Sequence, residues 1–129
     1  MFEVGDVVHF HSPTVGKAKY HICLGPDENG GPRFAFLFVN SEGGFRGDCV
    51  LDDGDVPGLP ISRTQQTVVS FSNISRIGEK QLALFEATKV GEISGNVAGV
   101  LLSFVKDTKI LTSKREKVFH RCARLAYLM

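Results

Sequence analysis

The stretch from Arg33 to Asn40 narrows the possible folds more than any other. Phe34, Phe36 and Phe38 alternate with Ala35, Leu37 and Val39, so a strand here carries apolar side chains on both faces. Such a strand has to be covered on both sides, as the middle strand of a curled sheet or small barrel is. The run before it, Lys19 to Leu24, is joined to it through Gly25-Pro26 and Asn29-Gly30-Gly31, the chemistry of a hairpin with a long tip. Alternation on that first strand sets Lys19, His21 and Cys23 against Tyr20, Ile22 and Leu24. The first set is expected to carry chemistry and the second to join the core.

Further strands are expected at Val4 to His11, Cys49 to Leu51, Thr67 to Phe71 and Ile74 to Ile77, from alternation and β-branched content. Two stretches read as loops: Ser41 to Asp48, with three glycines around Phe45 and Arg46, and the acidic, then proline- and glycine-rich Asp52 to Pro60. By Gly78 the sheet is expected to be complete, and the period then changes. Glu79 to Lys89 reads as a short helix, and Ser94 as the cap of a second one running to about Lys106. Ser113 and Glu116 have the spacing of a capping box for a last helix, apolar along Val118, Phe119, Cys122, Leu125, Ala126 and Met129. Its other side carries Lys114, Lys117, Arg121 and Arg124. Strands followed by helices imply one α+β domain over residues 1–129, with a barrel over about 1–78 and a helical part over about 79–129.

A chain of 129 residues with 43% hydrophobic content can bury a core without disulfides. Its formal net charge of +1 gives no global attraction to nucleic acid or anionic lipid, so any such binding has to come from local clusters. The three cysteines, Cys23, Cys49 and Cys122, are widely spaced and lack a C-x-x-C pair, which fits a reducing compartment. Met1 to Asp6 lacks the pattern of an export signal and no stretch is apolar enough to span a bilayer, so a cytoplasmic protein without membrane contact is expected.

The order of these elements resembles a known family. Gly5-Asp6-Val7-Val8, Lys19 to Leu24, Val39-Asn40-Ser41, and above all Val68 to Leu82 followed by Val90-Gly91-Glu92-Ile93 are similar to the MazF and PemK toxins of bacterial toxin-antitoxin modules, over roughly the first three quarters of the chain. The resemblance implies an SH3-like small β-barrel (MazF/PemK/CcdB-like) with C-terminal helices. It also implies a homodimer that cuts single-stranded RNA without metal or other cofactor, restrained by a cognate antitoxin. Where the family has Arg-Pro at the start of the second strand, this chain has Lys19-Tyr20, and Asn40-Ser41 stands near the family's hydroxyl position. A lysine is a point charge and lacks the paired hydrogen bonds by which arginine grips a phosphate.

Metal-free RNA cleavage needs a base for the 2′-hydroxyl, an acid for the departing 5′-oxygen, and cations or donors for charge on phosphorus. His21 is the expected acid or base, Lys19 the phosphate stabiliser and Ser41 a hydrogen-bond donor. Asn40, Phe45, Arg46 and His11 are expected to contact RNA, Phe45 by stacking and Arg46 as a loop cation. Each also has a plain structural reading: a strand histidine bonded to backbone, a strand-end lysine, a serine opening a turn. His9, His11 and His21 form a weak candidate metal group, because no carboxylate stands at ligand spacing. Asp52, Asp53 and Asp55 read as a solvated turn. Two functions follow: an endoribonuclease, or a non-catalytic protein of the same fold that binds RNA, an antitoxin or a protein target.

Overall fold

The computed structural model describes residues 1–13, 15–26, 33–41, 43, 47–107 and 118–129. Six strands, β1 (Asp6–Ser12), β2 (Lys17–Pro26), β3 (Arg33–Asn40), β4 (Asp48–Asp52), β5 (Gln66–Gly78) and β6 (Thr88–Glu92), form one sheet. Their spatial order is β4-β5-β3-β2-β1-β6, and every neighbouring pair is antiparallel. The fold is α+β with helices toward the C-terminal end, as the element order implied.

The strand β3 has the bounds its sequence indicated and lies inside the sheet. Its apolar side chains feed two cores. Ala35, Leu37 and Val39 join Val7, Ile22, Leu24, Val69 and Phe71 beneath the C-terminal helices, whereas Phe34 and Phe36 join Val8, Phe10, Cys23, Ile77 and Leu82 on the opposite face. This double covering corrects the expectation for β2. Two of the three residues on its supposed chemical face, His21 and Cys23, are completely buried against Phe10 and Phe36.

The sheet does not end at Gly78. The helix α1 spans only Glu79–Leu84, and the chain then turns through Glu86, held at φ 54°, into β6. β6 pairs with β1 from Asp6 opposite Glu92 to His9 opposite Thr88. Lys89 fixes this edge by contacting both Glu92 and the buried Asp6 carboxylate, the latter at 3.2 Å. Asp6 in turn accepts a hydrogen bond from the Glu3 amide at 2.9 Å. Thr88 and Val90 carry the β-branching that suits this strand. The helical reading of Glu79 to Lys89 therefore held for its first half, where Leu82 is buried.

The two expected strands between Thr67 and Ile77 are one, β5, with a bend inside it. Its pairing with β3 jumps from Phe38 opposite Ser70 to Leu37 opposite Ile74. Beyond β6, α2 (Gly95–Asp107) buries Val97, Ala98, Leu101 and Val105, and Ser94 Oγ caps it by accepting the Val97 amide at 3.1 Å.

The chain is helical again over residues 118–122 and continues as a 3-10 helix, Ala123–Leu128. Val118, Cys122 and Leu125 are buried as expected. The capping pair Ser113 and Glu116, with Lys114 and Lys117, lies outside the described residues. Of the basic residues on the other side of this helix, Arg121 is buried, only 3% exposed. Arg124 is half-buried and donates from Nη1 to the Pro26 carbonyl at the surface. The missing side chain at Gly25 admits it, since a Cβ there would stand 3.0 Å from that nitrogen.

The connection from β4 to β5 begins in the expected solvated turn, where the Asp52 amide donates to Asp55 Oδ2 at 3.0 Å. It then crosses to the far edge of the sheet. Gly58, at φ +85°, lies against β6 so closely that a Cβ would stand 2.3 Å from the Val90 carbonyl oxygen, and Gly91 meets Pro57 in the same way. The loop leaving one edge strand thus packs backbone to backbone on the other. Among the described residues, no helix is long and apolar enough to cross a membrane.

Candidate functional site

That crossing loop roofs a cavity of about 280 Å³ at one end of the sheet, where β2 begins, β3 ends and β5 begins. Lys19, Tyr20, Asn40, Ser41, Ile61, Arg63 and Gln66 line it, with Ser62 and Thr67 adding hydroxyls. Antiparallel pairing positions the first of these. Tyr20 stands opposite Val39, so Lys19 faces Asn40, and Lys19 Nζ donates to Asn40 Oδ1 at 2.9 Å. The bond holds the ammonium at the cavity wall while leaving its remaining protons to donate elsewhere. Burial, and then the charge of Lys17 two residues along the same strand, lowers the Lys19 pKa from its ordinary value.

The loop side is fixed by hydroxyl chemistry. Thr64 Oγ1 donates to the Ser41 carbonyl, which ties the loop to the end of β3. Ser62 Oγ and Thr64 Oγ1 lie 2.9 Å apart, and the Thr64 amide donates to Ser62 Oγ at 3.2 Å, a local turn built from short polar side chains. Gln65 completes it at φ 60°. Arg63 is carried at the cavity by a segment pinned on both sides. Among the described residues that line this cavity are two cations and several hydroxyls but no carboxylate, a set suited to an anion with more than one oxygen, such as a phosphodiester.

Of the residues singled out in the sequence, Lys19, Asn40 and Ser41 come together here although 21 residues separate the first two. His21 does not join them. Its ring is stacked on Phe10 with centroids 3.9 Å apart and planes 9° from parallel, and it meets Phe38 at 5.1 Å and Phe36 at 5.8 Å. Burial lowers its pKa to about 4, only partly opposed by the nearby Val8 and Lys19 backbone. Neither ring nitrogen reaches hydrogen-bond geometry with any described residue. An imidazole neutral at pH 7 and sealed among phenylalanines is a core side chain, in no position to exchange protons with a substrate.

His11 is exposed and pairs with Ala18 at the cavity end of the sheet, but its ring lies 6.1 Å from that of Phe85 and it does not line the cavity. His9 packs on Tyr20 at 4.5 Å, behind the cavity wall. Phe45 and Arg46 lie outside the described residues. The three cysteines are buried free thiols whose pKa values burial raises, Cys23 and Cys122 to about 12 and Cys49 to about 11. Among the described residues no group of three His, Cys, Asp or Glu side chains is disposed to hold a metal ion.

Tyr20 packs against the core as expected and also lines the cavity. Sequence reasoning missed the segment Ile61 to Gln66. Its signal was present: Ser62-Arg63-Thr64-Gln65-Gln66 is an unbroken polar run with a cation, set directly before a β-branched strand. Compared with models of known protein families and with curated proteins, the chain matches none.

Proposed function

We propose that this chain is a MazF/PemK-like toxin of a type II toxin-antitoxin module, a metal-independent endoribonuclease that binds single-stranded RNA in the Lys19 cavity. The observation carrying the proposal is the meeting of Lys19, hydrogen-bonded to Asn40, with Ser41 and Arg63 around one open cavity. Lys19 and Ser41 keep a cation and a hydroxyl near the positions where that family has them, although Lys19-Tyr20 replaces the family's Arg-Pro, and Arg63 adds a second cation outside that resemblance. The packing of Gly58 on Val90, which brings the loop after one edge strand to the other edge, supports an SH3-like barrel as the parent fold. In this reading the protein works in the cytoplasm, as a homodimer, with a cognate antitoxin as its partner.

The reaction joins the 2′-oxygen of a nucleotide to its own 3′-phosphorus and breaks the bond from phosphorus to the next 5′-oxygen. A 2′,3′-cyclic phosphate and a 5′-hydroxyl result, with the 2′-hydroxyl proton passing to solvent. Lys19 and Arg63 neutralise charge on the phosphoryl oxygens, and the Ser41 hydroxyl donates to one of them. Lys19, with its lowered pKa, is also the group in the cavity suited to give a proton to the departing oxygen.

A second reading, RNA or protein binding without cleavage, is favoured by the burial of His21, which removes the imidazole from the site. Purified protein incubated with a long single-stranded RNA in chelator separates the two. Discrete cuts ending in cyclic phosphate, lost in Lys19→Ala, support the enzyme. Binding without cuts supports the second reading, and absence of both from folded protein overturns the cavity as an RNA site.

A further inference from the structure

Ile61 is the most exposed large apolar side chain among the described residues, at 89%, and it stands at the rim of the cavity that holds Lys19 and Arg63. Such exposure is ordinary on a loose loop, but this one is pinned. Thr64 ties it to Ser41, Ser62 to Thr64, and the Ser62 amide to Asp53 Oδ1 at 3.4 Å. Pro60 restricts the backbone immediately before Ile61. Tyr20, half-buried, lines the same cavity, and its ring packs against His9 with centroids 4.5 Å apart. An apolar side chain on a pinned loop and a packed aromatic ring, lining one cavity with two cations, match the two halves of a nucleotide: a flat apolar face and a charged phosphate.

We propose that Tyr20 and Ile61 form a nucleobase subsite next to the phosphate-binding cations, with the Gln66 side-chain amide, both donor and acceptor, placed to meet a base edge. The ligand class is therefore an unpaired nucleotide within a single strand. A duplex hides its base faces in the stack, and a free phosphate offers none. The inference rests on the RNA reading of the cavity and adds to it the residues that select base over backbone.

The test compares two oligoribonucleotides of equal length, one with normal bases and one with abasic residues at its central positions, for binding to wild type, Ile61→Ala and Gln66→Ala. Wild type is expected to hold the normal strand at least about fivefold more tightly than the abasic one. Ile61→Ala should shrink that ratio toward unity with abasic affinity unchanged, and its fold is safe because the side chain is solvated. Gln66→Ala should alter the ranking among homopolymers. Equal wild-type affinity for both strands, or an Ile61→Ala ratio identical to wild type, overturns the subsite and leaves the phosphate reading standing. Failure of wild type to bind either strand overturns the RNA reading itself.

Discussion

Lys19 Nζ and Asn40 Oδ1 meet at 2.9 Å across the β2–β3 pair, joining the start of one strand to the end of the next at the mouth of the cavity. The bond ties a cation whose free side chain has four rotatable bonds to one place, so the charge is ready where a phosphate would sit. Lys19→Ala is expected to reduce RNA cleavage by about a hundredfold or more, in the range found when a transition-state donor is removed. Asn40→Ala, which frees the ammonium without removing it, should cost less, about tenfold. Single-turnover rates on one RNA, with circular dichroism confirming the fold, check both.

His21 makes stability depend on pH. Its pKa is about 4 in the folded chain against 6.5 when unfolded, so between these values the unfolded state binds more protons and stability rises with pH. The contribution is fully present above about pH 6.5 and is lost as pH falls toward 4, amounting to roughly 3 kcal/mol in all. In His21→Phe, which keeps a ring against Phe10, this part of the dependence should vanish and cleavage at pH 7 should persist. Denaturant melts between pH 4 and 7 measure the first effect. An unchanged slope in the variant would refute the assignment.

Gly58 has a positive φ and no room for a side chain against β6. Gly58→Ala places a methyl carbon on the Val90 carbonyl, and a cost of about 2 kcal/mol or more is expected. Since the same loop continues into Ile61 and Arg63, the variant should also weaken RNA binding. Gly54→Ala, at a positive φ with open space around it, carries the strain without the clash and is the control. Thermal melts of the two separate these contributions.

The buried thiols should be inert. At pH 7, Cys23, Cys49 and Cys122 are expected to resist a thiol-specific reagent in the native protein and all to react in denaturant, because burial raises their pKa values well above neutral. Mass spectrometry of protein labelled under both conditions checks this.

Much of the fold was legible because its signals are local. β3, with apolar residues on both faces, could only be an interior strand, and Ser94 ahead of a helical pattern caps α2 as its chemistry implies. β6 was hidden, because Thr88 to Glu92 is short and follows good helix formers, and only the open edge of β1 gives it a partner. The candidate site divided in the same way. Lys19, Asn40 and Ser41 bracket a hairpin and were readable as neighbours. Ile61 and Arg63 arrive from a distant loop whose course depends on the Gly58 contact with β6.

By itself, then, the sequence determined an α+β chain with a doubly covered central strand, and it marked the polar ends of β2 and β3. Alternation and capping act between residues close in the chain, so they can be read along it. Only the tertiary structure decided which polar groups meet solvent. His21 and Lys19 lie two residues apart on one face of β2, yet Phe10, Phe36 and Phe38 seal the first while the second reaches the cavity. Burial is set by what neighbouring strands and loops bring over a side chain, and the spacing of residues within one strand does not contain that information.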